Sequence, residues 1–262
     1  LGASAVGVVL DNSGLRIEAN QLAGENTPGV FEGFDLVDRL PSDTMGYLGF
    51  VLPENFLDSL LGMAANGGPE ALDEMSSGFE QMFGVDPIRQ VLPALGPDML
   101  LAVMERAGGS SLGDLQLPIG GFFVTDVSDP EPVESLLHGL EGMLALEGIE
   151  FTGTDPVIVT SDGEEIAAFQ LGDDSLAVAT PAGALSEFTA GGGLTDNELY
   201  QELVRSLGND GLVVFADLSA VFDELPIPAD ERAILAPMRG IGASMSRSGD
   251  LIKSSSLLLI DY

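Results

Sequence analysis

Apolar and polar residues alternate at the start of the chain: positions 3–10 keep a period of two, Asp11-Asn12-Ser13-Gly14 interrupts it, and Leu15, Ile17 and Ala19 take it up again. Two such runs around a cluster of turn formers predict a β-hairpin. After a Gly- and Pro-bearing stretch over 24–33, residues 43–50 read as a strand. The period then lengthens. Pro53 opens a helix with Phe56, Leu57, Leu60, Leu61 and Ala64 on one stripe, a second helix runs to about Phe83, and a short segment over 86–92 leads to strands at 99–104 and 119–125.

Asp129 and Pro130 mark the next helix start, an N-cap with proline in the first turn. Val133, Leu136, Leu137, Leu140 and Leu144 recur at helical spacing, so they are expected to be buried on a sheet while Glu134, His138 and Glu141 face water. Strands over 157–160, 165–171 and 175–180 are joined by the turns Ser161-Asp162-Gly163 and Gly172-Asp173-Asp174. A short helix over 182–189 follows, and Thr195 with Glu198 reads as a capping box for a helix that turns Leu199, Tyr200, Leu203, Val204 and Leu207 inward and stops at Gly208. The chain closes with a strand over 212–215, helices over 218–225 and 229–238, and a hairpin through Arg247-Ser248-Gly249-Asp250.

This succession predicts an α+β fold, a mostly antiparallel sheet with helices packed on it. Strand, helix, helix, hairpin describes residues 43–125 and again the last fifth of the chain, and Gly242-Ala243-Ser244 opens the closing hairpin as Gly2-Ala3-Ser4 opens the first. The order reads as an internal duplication of a strand-helix-helix-hairpin unit. Residues 1–34 are then a hairpin completing an upstream or pseudo-repeated unit, and 35–262 an α+β domain of two related halves, about 35–127 and 128–262. The opening LGASAVGVVL has no initiator Met and no basic region, as expected of a mature product or a fragment.

Charge narrows the function classes. Forty-two acidic side chains against eight arginines and Lys253 give a net charge of −33 on 262 residues. Such a surface repels phosphate backbones, which excludes nucleic acid as a partner, and attracts cations nonspecifically. Apolar residues make up 45% of the chain, enough for a core without disulfide or metal. No run reaches the roughly 18 apolar residues of a bilayer span. There is no cysteine, no tryptophan and a single histidine, His138, so thiol redox chemistry is excluded and few catalytic constellations can be assembled. An excess of acid with almost no lysine fits a saline exterior or selection for solubility outside the cell, and both place the chain in or beyond the envelope. Self-repulsion also makes a prediction: the melting temperature is expected to rise with NaCl as the Debye length falls from about 30 Å at 0.01 M to about 3 Å at 1 M. A flat or falling melting curve series would show that the acids are locally paired.

Gly109-Ser110-Ser111-Leu112-Gly113 fits the G-x-S-x-G nucleophile elbow, which needs a strand-turn-helix around the serine and a histidine base. Residues 115–123 read as a strand, so a hairpin loop is the better account of Ser111. Glu134, His138 and Glu141 share one helical face and are the candidate metal ligands, weighed against a solvated polar face. Asp126, Asp129 and Glu131, and separately Asp162, Glu164 and Glu165, offer oxygens to calcium but lack EF-hand spacing, and caps and turns explain Asp129 and Asp162. Nine methionines and thirteen phenylalanines, Phe122-Phe123 among them, are the stuff of an acyl pocket or of an ordinary core. Without Trp, stacking of sugars between paired carboxylates is disfavoured.

Leu40-Pro41-Ser42-Asp43-Thr44, Phe83-Gly84-Val85-Asp86-Pro87, Val91-Leu92-Pro93-Ala94-Leu95-Gly96, Val124-Thr125-Asp126-Val127-Ser128-Asp129-Pro130 and Asp174-Ser175-Leu176-Ala177-Val178-Ala179-Thr180 follow one another in this order. Together they resemble a family of exported or membrane-anchored proteins of actinobacteria known only as a domain of unknown function. The resemblance implies an extracytoplasmic α+β domain and carries over no catalytic residue. The expected function is a non-enzymatic binding or structural module of the cell envelope, extracellular or anchored facing the exterior, without catalytic residues, resident metal or cofactor. Its expected partners are another protein, a second copy or a lipid. The alternative is a carrier that holds a lipid or glycolipid between sheet and helices. A hydrolase using Ser111 or carboxylates comes third.

Overall fold

The computed structural model describes residues 4–11, 13–22, 29–52, 69–105, 119–180, 182–208 and 211–261. The helix expected at Pro53 and the Ser111 motif lie outside these residues. The fold is α+β, as the pattern predicts. Its strands are β1 (Ser4–Asp11), β2 (Gly14–Leu22), β3 (Thr44–Val51), β4 (Leu95–Glu105), β5 (Ile119–Val127), β6 (Ile149–Thr152), β7 (Val157–Ser161), β8 (Glu164–Leu171), β9 (Ser175–Thr180), β10 (Val214–Asp217), β11 (Met238–Ser248) and β12 (Leu251–Ile260). Two compact units form, one from Leu1–Val51, Leu100–Phe122 and Ser186–Tyr262, the other from Leu52–Met99 and Phe123–Leu185. Each unit draws on both of the sequence halves at 35–127 and 128–262, and the strands β4 and β5 are divided between the units.

In the first unit the strands run β1-β2-β12-β11-β10-β3, followed by parts of β4 and β5. Outward from β10 come β11 and β12, and outward from β3 come β4 and β5, in each case two strands consecutive in the chain. The helix Glu198–Leu207 lies on β11 and β12, and glycines make that approach possible. A Cβ at Gly242 would stand 3.1 Å from Leu203 Cδ2, and one at Gly240 would stand 3.0 Å from Leu199. Under the helix, Tyr47, Tyr200 and Phe215 pack with ring centroids 5.5 to 6.4 Å apart. The Tyr47 hydroxyl donates to the Leu212 carbonyl at 2.7 Å; burial first, then Tyr200, pushes its pKa well above the ordinary tyrosine value. The helix is not started by the expected capping box. Asn197 is the N-cap, its Oδ1 accepting from the amides of Leu199 and Tyr200, while Thr195 lies in a 3-10 turn over Leu194–Asp196. One side-chain oxygen thus satisfies two first-turn amides.

The run from Leu40 to Thr44 is a structural clasp. The fully buried Leu40 offers its carbonyl to the amides of Gly193 and Leu194 at 2.9 and 3.2 Å. Gly192 sits at φ 62°, where any Cβ would come within 2.4 Å of that carbonyl oxygen. Asp43 pays for this position: partial desolvation, then repulsion from Glu187 and Glu105, pushes its carboxyl above the usual value of 3.8. An acid with a raised folded pKa contributes stability that is complete below the unfolded value and lost as pH rises through the folded one. Asp43→Asn is therefore expected to raise the melting temperature at pH 7 and to leave it unchanged below pH 3.8. A stabilisation that persists unchanged in acid would assign the effect to something other than charge.

The second unit pairs the remaining parts of β4 and β5 with β9-β8-β7-β6. Its core is Val85, Val91, Ala94, Val127 and Val133, with Phe83, Leu95, Leu136, Leu137, Leu171 and Leu176 packed around them. Both Asp-Pro pairs flanking that core are helix starts. Asp86 accepts from the amides of Ile88 and Arg89 and from the Ser76 hydroxyl, opening a π-helical turn over Pro87–Val91. Asp129 accepts from the Glu131 amide and opens the helix Pro130–Leu144. Gly96 is glycine because a Cβ there would lie 2.5 Å from Asp126 Cβ.

Candidate ligand-binding groove

The helix Pro130–Leu144 does not bury its whole leucine stripe. Val133 is 2% exposed and anchors the first turns, whereas Leu136, Leu137, Leu140 and Leu144 are half-buried. The expectation that all five would be sealed against the sheet is corrected here. Below the helix, β6, β7 and β8 form an antiparallel meander that places Phe151 opposite Val159 and Val157 opposite Phe169. Between helix and meander a cleft of about 590 Å³ is left unfilled. Ligand pockets are typically about 300–1,000 Å³.

The floor of the cleft is Phe151, Val157, Phe169 and Leu171, and Leu137 faces it from the helix. The two phenyl rings meet edge to face with centroids 6.1 Å apart, an arrangement that leaves ring faces open to a further apolar group. The turn after β6 closes one end: Gly153 is at φ 83°, and a Cβ there would lie 2.7 Å from the Pro156 carbonyl oxygen. Glu134, His138, Glu141 and Asp173 stand on the rim, and among the described residues no arginine or lysine lines the cleft.

The structure thus brings Glu134, His138 and Glu141 to one cleft, exposed as expected. Among the described residues no three His, Asp or Glu side chains converge as a metal site requires. The other candidate oxygens have local duties. Asp129 is a cap, Asp162 occupies a left-handed turn at φ 53°, and Glu165 accepts from the Ala182 amide at 2.6 Å. Phe122 packs on Phe188 with centroids 5.1 Å apart, in the core of the first unit.

Sequence reasoning missed Phe151 and Phe169, the residues that give the floor its character. Phe151 belongs to β6, a four-residue strand after the left-handed Gly148. The available signal was Ile149-Glu150-Phe151-Thr152, an alternation directly behind a Gly stop. Among the described residues no helix is long and apolar enough to cross a membrane. Comparison with known protein families, with characterised proteins and with solved structures yields no match to this chain.

Proposed function

We propose that this chain is a non-enzymatic binding module of the cell envelope, working outside the cytoplasm, whose cleft between the Pro130 helix and the β6–β8 meander holds an apolar or amphipathic molecule such as an acyl chain. The observation that carries this reading is the unfilled floor of Phe151, Val157 and Phe169 beneath the half-buried Leu137. A helix that spans a gap leaves apolar surface that a ligand can remove from water at about 25 cal/mol per Å². The carboxylate rim favours a head group that is neutral or cationic and disfavours a carboxylate or phosphate at that end. The outward location rests on the acidic, lysine-poor composition and the resemblance to exported actinobacterial proteins. The duplication belongs to the same proposal, supported by the repeated strand order on either side of the β10–β3 pair. His138 as the sole imidazole, exposed at the rim, gives a hydrolase reading little to work with.

A neutral solvatochromic dye, Nile red, tests the reading. It is expected to bind saturably at one site, and Thr154→Trp, which plugs the cleft from an exposed rim position, is expected to weaken binding at least tenfold with the fold intact by circular dichroism. Equal binding by the plugged variant would remove the cleft from the account.

A further inference from the structure

At the other end of the sheet order, among the described residues, β1 is an edge strand. All eight of its residues are exposed, with Val6 at 68%, Val8 at 64% and Leu10 at 68%. Val6 pairs with Ala19, Val8 with Ile17 and Leu10 with Leu15, so one face of the hairpin is continuously apolar. Edge strands are ordinarily guarded by a lysine, a proline, a bulge or an inward charge. β1 has none of these: its register with β2 is unbroken and its single charge, Asp11, is its last residue. In a chain of net charge −33 this strand carries no carboxylate before its last residue, and among the described residues its outer backbone edge is unpaired.

We propose that β1 is a self-association edge, pairing antiparallel with β1 of a second copy about a two-fold axis through Gly7. The parity of the hairpin sets the register. In a two-residue loop the closing pair Asp11–Gly14 exchanges hydrogen bonds, so the backbone groups of Ser4, Val6, Val8 and Leu10 point outward. Pairing those groups puts Val6 opposite the partner's Val8 and Gly7 opposite the partner's Gly7. The rows Ala19, Val6, Val8, Ile17 then continue across the seam on one face. The nearest carboxylate is Glu18, opposite Gly7 on β2; the two copies of it are three strand spacings apart, about 14 Å, beyond the roughly 8 Å Debye length of physiological salt. The same molecule already uses this device, since the β8–β9 hairpin is extended by a second antiparallel hairpin, β7–β6. Two-fold pairing gives β1–β2 the equivalent extension.

An edge joint of this size buries less than the ~1,200 Å² of a standard interface, so a weak, salt-promoted dimer is expected. The test uses a chain without native cysteine. Gly7 has open space where a Cβ would be, and a non-hydrogen-bonded antiparallel pair sets Cα atoms about 4.5 Å apart, within disulfide range. Gly7→Cys is expected to oxidise to a covalent dimer at least tenfold faster than the exposed control Glu147→Cys, and Val8→Lys in the same background is expected to abolish that advantage. Sedimentation of the wild type at about 0.5 M NaCl, where screening is nearly complete, is expected to show a concentration-dependent dimer that Val8→Lys removes. Cross-linking of Gly7→Cys no faster than the control, or a wild type that sediments as a monomer at every concentration while Nile red still binds, would overturn the edge pairing and leave the cleft reading intact. Binding of the wild type to neutral phosphatidylcholine vesicles that Val8→Lys abolishes, without dimer, would also overturn it and assign the hairpin to a lipid surface.

Discussion

Leu203→Ala is expected to lower the unfolding free energy by about 2–5 kcal/mol. Leu203 is fully buried and lies over Gly242, whose missing side chain brings the helix Glu198–Leu207 down onto β11. Truncation removes the group that the glycine makes room for, and the cavity cannot close because Tyr200, Phe215 and Leu257 around it are themselves locked in the core. The urea midpoint should fall with the m-value unchanged, as for loss of packing without loss of cooperativity. A loss below about 0.5 kcal/mol, the range of a surface site, would mean that the helix is not seated as described.

Gly139→Ala is expected to destabilise by about 1–3 kcal/mol, against the direction of helix propensity. In an exposed helix interior the change would stabilise by about 1 kcal/mol. At position 139 the new Cβ would fall 2.7 Å from the Cα and carbonyl oxygen of Phe83, backbone that cannot rotate away. Helix Pro130–Leu144 would lift from the helix Pro69–Phe83, carrying Val133 out of its core. Neutral or improved stability in thermal melts would show that the two helices are not in contact there.

Both positions show what the pattern of residues conveys and where it stops. Strand and helix existence is a local property, set by the period of apolar residues and by caps, so the α+β class, the opening hairpin and the Asp129-Pro130 start were legible. Gly139 and Gly242 look like weak points in a helix and a strand, and only their neighbours reveal them as points of approach. Burial depth was the other blind spot. Leu137 and Val133 share one stripe, but Val133 is sealed in a packed core while Leu137 is half-buried and lines the cleft under the helix. The capping error has the same character: Thr195 and Glu198 have the right spacing, but Asn197 sits two residues nearer the first turn and accepts from the amides of Leu199 and Tyr200. Glu134, His138 and Glu141 were correctly grouped on one face; the aromatic floor they overlook comes from the meander that follows the helix, whose pairing the local pattern does not show.

Native mass spectrometry of wild type and Thr154→Trp, purified side by side from the natural source, tests most directly whether the cleft holds a ligand. The wild type is expected to carry one small apolar molecule per chain, released by organic solvent, and the plugged variant to be bare. A wild type that is bare in every preparation, or a molecule retained equally by Thr154→Trp, would contradict the account.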